Sequence, residues 1–172
     1  MQIDPALYER MAAYNTWMTD KAYTAAAKLS DAERKEDRGA FFRSVHSTLN
    51  HILFADRIWM GRFAGKKYET RGMGVDIFED FEELRAAHLT MCDDIAAFAG
   101  QVTPDWLGEV LEWTSGSDGI TRKRPQWILL THMFNHQTHH RGQLSTLLTQ
   151  AGVDIGVTDL QQMPDLAHEF DT

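Results

Sequence analysis

Four of the chain's eight histidines fall within thirteen residues, THMFNHQTHHRGQ, positions 131–143. Imidazole is both a proton acceptor near neutral pH and the commonest side-chain ligand for divalent metals. His132, His136 and His140 step by four, so on a helix they climb one face, with His139 beside them. His136 and His140 stand one turn apart with an offset of about 40° around the axis, a spacing that lets two imidazoles converge on one ion. Leu129, Met133 and Leu147 lie close to the same direction, which points the pair inward. Two imidazoles among apolar groups are costly unless something satisfies their nitrogens. A divalent cation does so; the spacing alone equally admits two partly exposed histidines on a polar stripe. His132 is about 12 Å along the axis from His140, so both cannot join His136 at one ion. His139 is turned about 60° the other way and is expected to face a neighbouring helix or solvent.

A metal site needs a further ligand from elsewhere in the chain. His51, in STLNHILFADRIW, is the natural candidate, because Ser44, Thr48 and Ala55 on its face are small and leave room for an ion and a substrate. His46 points about 140° away from it. His88 is the alternative, although a seam histidine is ordinarily a hydrogen-bonded core residue. Two other metal chemistries are excluded by the letters. Carboxylate-bridged di-iron bundles use Glu-x-x-His twice, and this sequence contains that pattern nowhere. An oxo-bridged di-iron site would use His-x-x-x-Glu with His-x-x-x-x-Asp; His51 and Asp56 supply the second pattern, but the first is absent. A three-histidine, carboxylate-poor site for a single ion fits better.

The elements that would position these residues are helical. In PALYERMAAYNTWMTDKAYTAAAKLS, Leu7, Met11, Tyr14, Met18, Ala22, Ala25 and Leu29 follow in steps of four or three, an amphipathic seam. SDAERKEDRG breaks that period and is expected to be a solvated connection. A second helix is predicted from about Ala40 to Phe63, and a third carries Phe81, Leu84, His88, Met91, Ile95 and Phe98 before ending at Gly100. EVLEWTSGSDGITRKRP suggests two short extended pieces around a turn. The fourth long helix is predicted from near Pro125 to about Gln150. The expectation is an all-α four-helix bundle with a short irregular or hairpin insertion before the last long helix, forming one domain over residues 1–172.

Composition narrows the function classes. The chain has 172 residues, 43% of them hydrophobic and 24% charged, with a formal net charge of −8. Such a balance repels phosphate backbones unless basic residues gather on one face, and the only dense basic run is TRKR at 121–124. Nucleic acid is therefore not expected as a partner. No apolar run approaches membrane-spanning length, and MQIDPALYER lacks a basic-then-apolar leader pattern. The single cysteine, Cys92, rules out an internal disulfide and suits the cytoplasm. From Ala151 onward the chain holds five acids and no Lys or Arg, which reads as a solvated tail with one or two docked turns.

NHILFADRIWMGRF and NHQTHHRGQLSTLL resemble the two signature stretches of the DinB/YfiT-like superfamily. YNTWM resembles its opening motif and AGVDIGVTDL its closing one, so the likeness runs from the first helix to about Leu160. The resemblance implies an up-down-down-up four-helix bundle, often a homodimer, with a divalent metal held by three histidines. Carried over position by position, those ligands are His51, His136 and His140, while His46, His132 and His139 become bystanders. Some members of the superfamily use a low-molecular-weight thiol in transfer or isomerisation, and the family's name refers to induction by DNA damage rather than to contact with DNA.

The chemistry expected of such a site follows from its donors. Three neutral imidazoles leave a divalent ion its full charge and an open position, where it can activate water or hold a thiolate; Zn²⁺ and Ni²⁺ suit both. The expected reading is a thiol-dependent S-transferase or a hydrolase acting on a small molecule. A closed site completed by His88 would instead mark a non-catalytic metal-binding bundle, a sensor or interaction module. Gln143 is placed to touch the pocket, and Gly142 to allow close helix approach. Arg141 is expected to be solvated or salt-bridged, with a substrate carboxylate as the functional alternative. Tyr14 and Trp17 are core or pocket residues, Asp56 a helix–helix partner, and Cys92 buried and inert.

Overall fold

The computed structural model describes residues 3–116 and 118–166. Four long helices dominate: α1 (Ala6–Ala26), α3 (Val45–Ala64), α4 (Phe81–Ala99) and α6 (Gln126–Gln150). Short helices α2 (Asp31–Lys35) and α5 (Pro104–Gly108), and a hairpin of β1 (Val110–Thr114) with β2 (Thr121–Pro125), fill the connections. No helix among the described residues is long and apolar enough to cross a membrane.

Side-chain pairs fix the directions. Tyr8 meets Thr131 and Asn15 meets Arg141, so α1 and α6 run parallel. Tyr23 meets His88 while Asn15 meets Cys92, so α1 and α4 are antiparallel. Trp59 lies against His132 and His51 against His140, so α3 and α6 are antiparallel. The result is an up-down-down-up bundle in which α1 and α3, consecutive long helices, occupy opposite corners. Leu49, Leu53, Leu84, Ile95, Leu130, Met133 and Leu144 fill its centre.

Local chemistry sets the ends. The charged run after α1 is not simply a connection: Ser30 Oγ accepts the Glu33 N–H and the Glu33 carboxylate accepts the Ser30 N–H, a reciprocal cap that starts α2. The second long helix begins at Val45 rather than near Ala40. Ser44 caps it by accepting the Ser47 N–H at 3.1 Å, and Arg43 just before takes a left-handed φ of 63°, which no helix continues through. It ends where Gly65 adopts φ 64°, a conformation cheap only for glycine. The long crossover to α4 is tied down by Asn50, whose side-chain oxygen accepts the Ile77 and Phe78 N–H groups at 2.8 and 3.0 Å.

The seam of α1 is displaced by one residue over its first half. Tyr8 and Asn15 are buried, whereas Leu7 is exposed and Tyr14 half-buried. The reason is polar satisfaction: the Tyr8 hydroxyl reaches Thr131 and the Trp127 carbonyl, and Asn15 accepts from Arg141 at 2.6 Å. The expected hairpin is present, antiparallel, with Trp113 opposite Arg122. After α6 the chain docks through Val153 and Met163.

Candidate metal centre

α3 and α6 cross so that His51, His136 and His140 meet. Nε2 of His136 lies 3.4 Å from Nε2 of His51 and 3.1 Å from Nε2 of His140. One nitrogen from each ring falls within 4.8 Å of the others, and no other such group of His, Cys, Asp or Glu occurs among the described residues. Three nitrogens about 2.05 Å from a tetrahedral Zn²⁺ would be about 3.3 Å apart. The two measured separations bracket that value.

Protons cannot satisfy this arrangement. Gln143 Oε1 accepts from Nδ1 of His140 at 2.8 Å, which leaves the His140 Nε2 as a bare lone pair. His136 Nε2 can carry one proton and donate it to one neighbour, while it faces two. A cation satisfies all three lone pairs together. His51 and His140 are 8% and 7% exposed, and His136 is half-buried.

The rings are held neutral. Burial first, and the neighbouring His140 ring second, push His51 down to about 4. Burial followed by the surrounding histidines pushes His136 down to about 3. Burial also lowers His140, against the opposing pull of the Gln143 bond. Neutral imidazole is the ligating form.

Phe42 was not singled out by sequence reasoning, yet it covers the centre. Its ring stacks on His51 with centroids 3.7 Å apart and planes 18° from parallel. The tight turn ahead of α3 puts it there, and no helical period could have revealed it. On the other side, His51 and His136 open onto a groove of about 760 Å³ walled by Trp59, Arg62 and Trp113. A signal for Arg62 did exist: eleven residues are three turns, so it lies within about 20° of His51 around α3.

None of the other described histidines joins the group. His46 is fully buried, and its Nε2–H donates to the Phe78 carbonyl at 2.9 Å. His88 is a core residue: Nδ1 is 3.1 Å from the Tyr23 hydroxyl, and Nε2 is 3.7 Å from the buried Asp56 carboxylate, too long for a hydrogen bond. It does not complete the three-histidine group. His132 is exposed, edge-on to Trp59, and His139 is exposed beside His140.

Several neighbouring expectations need correction. Arg141 is neither solvated nor aimed at the pocket; it is 6% exposed, donates to Asn15, and lies over the Tyr14 ring. Tyr14 and Trp17 do not line the centre. The Tyr14 hydroxyl donates to the Thr158 carbonyl at 2.6 Å, and Trp17 carries Lys21 over its ring. No atom of a neighbouring helix lies within 4 Å of where a Gly142 side chain would begin, so this glycine serves no close helix approach. Asp56 does bridge helices, accepting from Gln137 at 2.9 Å. Cys92 is buried, and burial raises its thiol to about 11.

A family model described as the DinB family matches residues 3–171. Protein DinB of Bacillus subtilis strain 168 is 26% identical over 159 residues, 89% of this chain and 88% of that protein. The crystal structure of a DinB-like protein from Bacillus cereus superposes with a TM-score of 0.64 at 20% identity, covering 83% of this chain and 91% of the other. A DinB-like protein from Bacillus subtilis superposes with a TM-score of 0.57 at 18% identity, covering 83% and 92%. At those identities the structural likeness concerns the fold.

Proposed function

The chain belongs to the DinB family, and from that premise we propose that it is a divalent-metal enzyme acting on a small molecule through His51, His136 and His140. The observation that carries this reading is the convergence of His51 and His140 on the His136 Nε2, at 3.4 and 3.1 Å, with one nitrogen of each ring within 4.8 Å of the others and no carboxylate among them. Three neutral donors favour Zn²⁺ or Ni²⁺, which when bound would acidify a water toward pKa about 7 or hold a thiolate. Each side chain has a part that needs no other assumption. Gln143 fixes the His140 tautomer, burial keeps His51 and His136 unprotonated, and Phe42 shields His51 from water.

An open position, rather than a closed structural site, is supported by two features. His88 is engaged with Tyr23 away from the centre, and the groove reaches His51 and His136 directly. The reaction classes that suit an open three-histidine ion are thiol S-transfer and hydrolysis; the family resemblance supports a homodimer, and the lone Cys92 supports a reducing cytoplasm. The other reading, a metal-binding bundle without turnover, predicts an ion with no exchangeable ligand.

Elemental analysis of never-chelated protein beside His136→Ala tests the centre. About one Zn or Ni per chain, lost in the variant, is the expected result. Equal metal content in both proteins would refute the assignment.

A further inference from the structure

The groove beside the histidines carries charge opposite in sign to the molecule. The chain is formally −8, yet the groove wall holds Arg62, Arg71 and Arg122 against one acid, Asp118. Asp118 is matched by Arg122 through two bonds of 2.9 and 2.5 Å. Arg71 is exposed and donates to the Asp76 carbonyl at 3.1 Å. Arg62 differs from both. Its guanidinium carbon lies 4.5 Å from the Trp59 ring centroid and 5.7 Å from that of Trp113. Among the described residues it meets no carboxylate and no hydrogen-bond acceptor.

That environment is asymmetric. Two indole faces orient the guanidinium and remove part of its hydration, but they accept none of its five N–H donors. A half-buried arginine with a fixed plane and free donors is built to take a planar or tetrahedral anion, as bidentate pairing rewards this geometry. Its place on α3 points the same way. Arg62 is three turns beyond His51 on nearly the same face, about 16 Å along the axis, with Ala55 and Ile58 forming the floor between them. Helical side chains lean toward the N-terminus, so the guanidinium reaches back toward the histidines. The volume, about 760 Å³, suits a small molecule rather than a water or an ion.

We propose that this groove binds an elongated small molecule whose far end is an anion, carboxylate or phosphate, gripped by Arg62 between Trp59 and Trp113 while its near end reaches the histidine centre. The assignment rests on the metal reading above and names the substrate class for it. The indole walls accept an apolar or flat middle section. The uncharged homologue of such a ligand should bind weakly, because Arg62 would lose its solvent without gaining an acceptor.

The test uses Co²⁺-loaded protein and three probes with a thiol at one end of a six-carbon chain and a carboxylate, a phosphate or a hydroxyl at the other. The thiolate shifts the Co²⁺ absorption spectrum and so reports binding at the centre. At least one anionic probe should bind about tenfold or more tighter than the alcohol, and the better anion identifies the headgroup. Arg62→Gln should abolish that preference, whereas Arg85→Gln, on α4 beside Asp20 and outside the groove, should keep it. Circular dichroism of both variants checks that the half-exposed Arg62 site has not unfolded. Equal binding of all three probes, or a preference surviving Arg62→Gln, would overturn the anion site alone; no spectral shift in protein that holds Co²⁺ would overturn it together with the open coordination position. Failure to take up Co²⁺ would overturn the metal reading and this assignment with it.

Discussion

Gln143 offers the sharpest test of how the centre is held together. Its side-chain oxygen accepts from Nδ1 of His140 at 2.8 Å, and this single bond keeps the His140 Nε2 lone pair aimed at the other two rings. Replacing it by leucine conserves bulk and removes the acceptor. His140 then loses both the tautomer preference and the orientation, without losing the ligating atom. Outer partners of this kind are worth about 10- to 100-fold in metal affinity. The value here should sit near the lower bound, because Gln143 lies at the mouth of an open cleft where water can replace its oxygen. The expected change is therefore about tenfold, or about 1.4 kcal/mol. Competition against a chromophoric chelator at fixed pH measures it directly. Gln143→Glu supplies the control, since a carboxylate accepts the same hydrogen more strongly and should bind metal at least as tightly as the wild type. An affinity for Gln143→Leu within twofold of wild type would refute the claim that this bond orients the ligand. A fall as large as that of His136→Ala would show Gln143 to be something more than a positioning residue.

Two further outcomes follow from the burial of polar groups. Asn15→Leu strips Arg141 of its 2.6 Å acceptor inside the bundle, and leaving a buried charge so exposed to apolar surroundings costs about 3 kcal/mol. Urea denaturation should show a lower midpoint at unchanged slope, and adding Arg141→Met should recover part of the loss; a single-variant cost under about 1 kcal/mol would sink this account. For metal-free protein, His51 and His136 are held down to about 4 and about 3 when folded, against about 6.5 unfolded. The unfolded chain therefore binds more protons between those values, so stability is full above pH about 6.5 and declines as pH falls through that window. Midpoints measured from pH 7.5 to 4.5 on chelated protein check the sign, and a rise in stability on acidification would contradict it.

Local features of this protein are legible in its letters. The 3.6-residue period marked four long helices, and the same arithmetic put His136 and His140 on one face, because positions along a helix follow from spacing alone. His51 was reached the same way, from the small residues on its face. The letters also determined what the site is not, since they lack the carboxylate patterns of the di-iron bundles. The rest depends on contacts between distant segments. The start of α3 was misplaced because a left-handed Arg43 and a Ser44 cap break the pattern in a way that hydrophobic period does not record. That same turn delivers Phe42 onto His51. The seam of α1 shifted toward Tyr8 and Asn15 because their partners, Thr131 and Arg141, lie more than a hundred residues away. Trp113 reaches Arg62 only because the hairpin folds back over α3, a meeting that no helix wheel contains. Periodicity encodes which way a side chain leaves its own helix. Which group it then meets is set by how the helices cross.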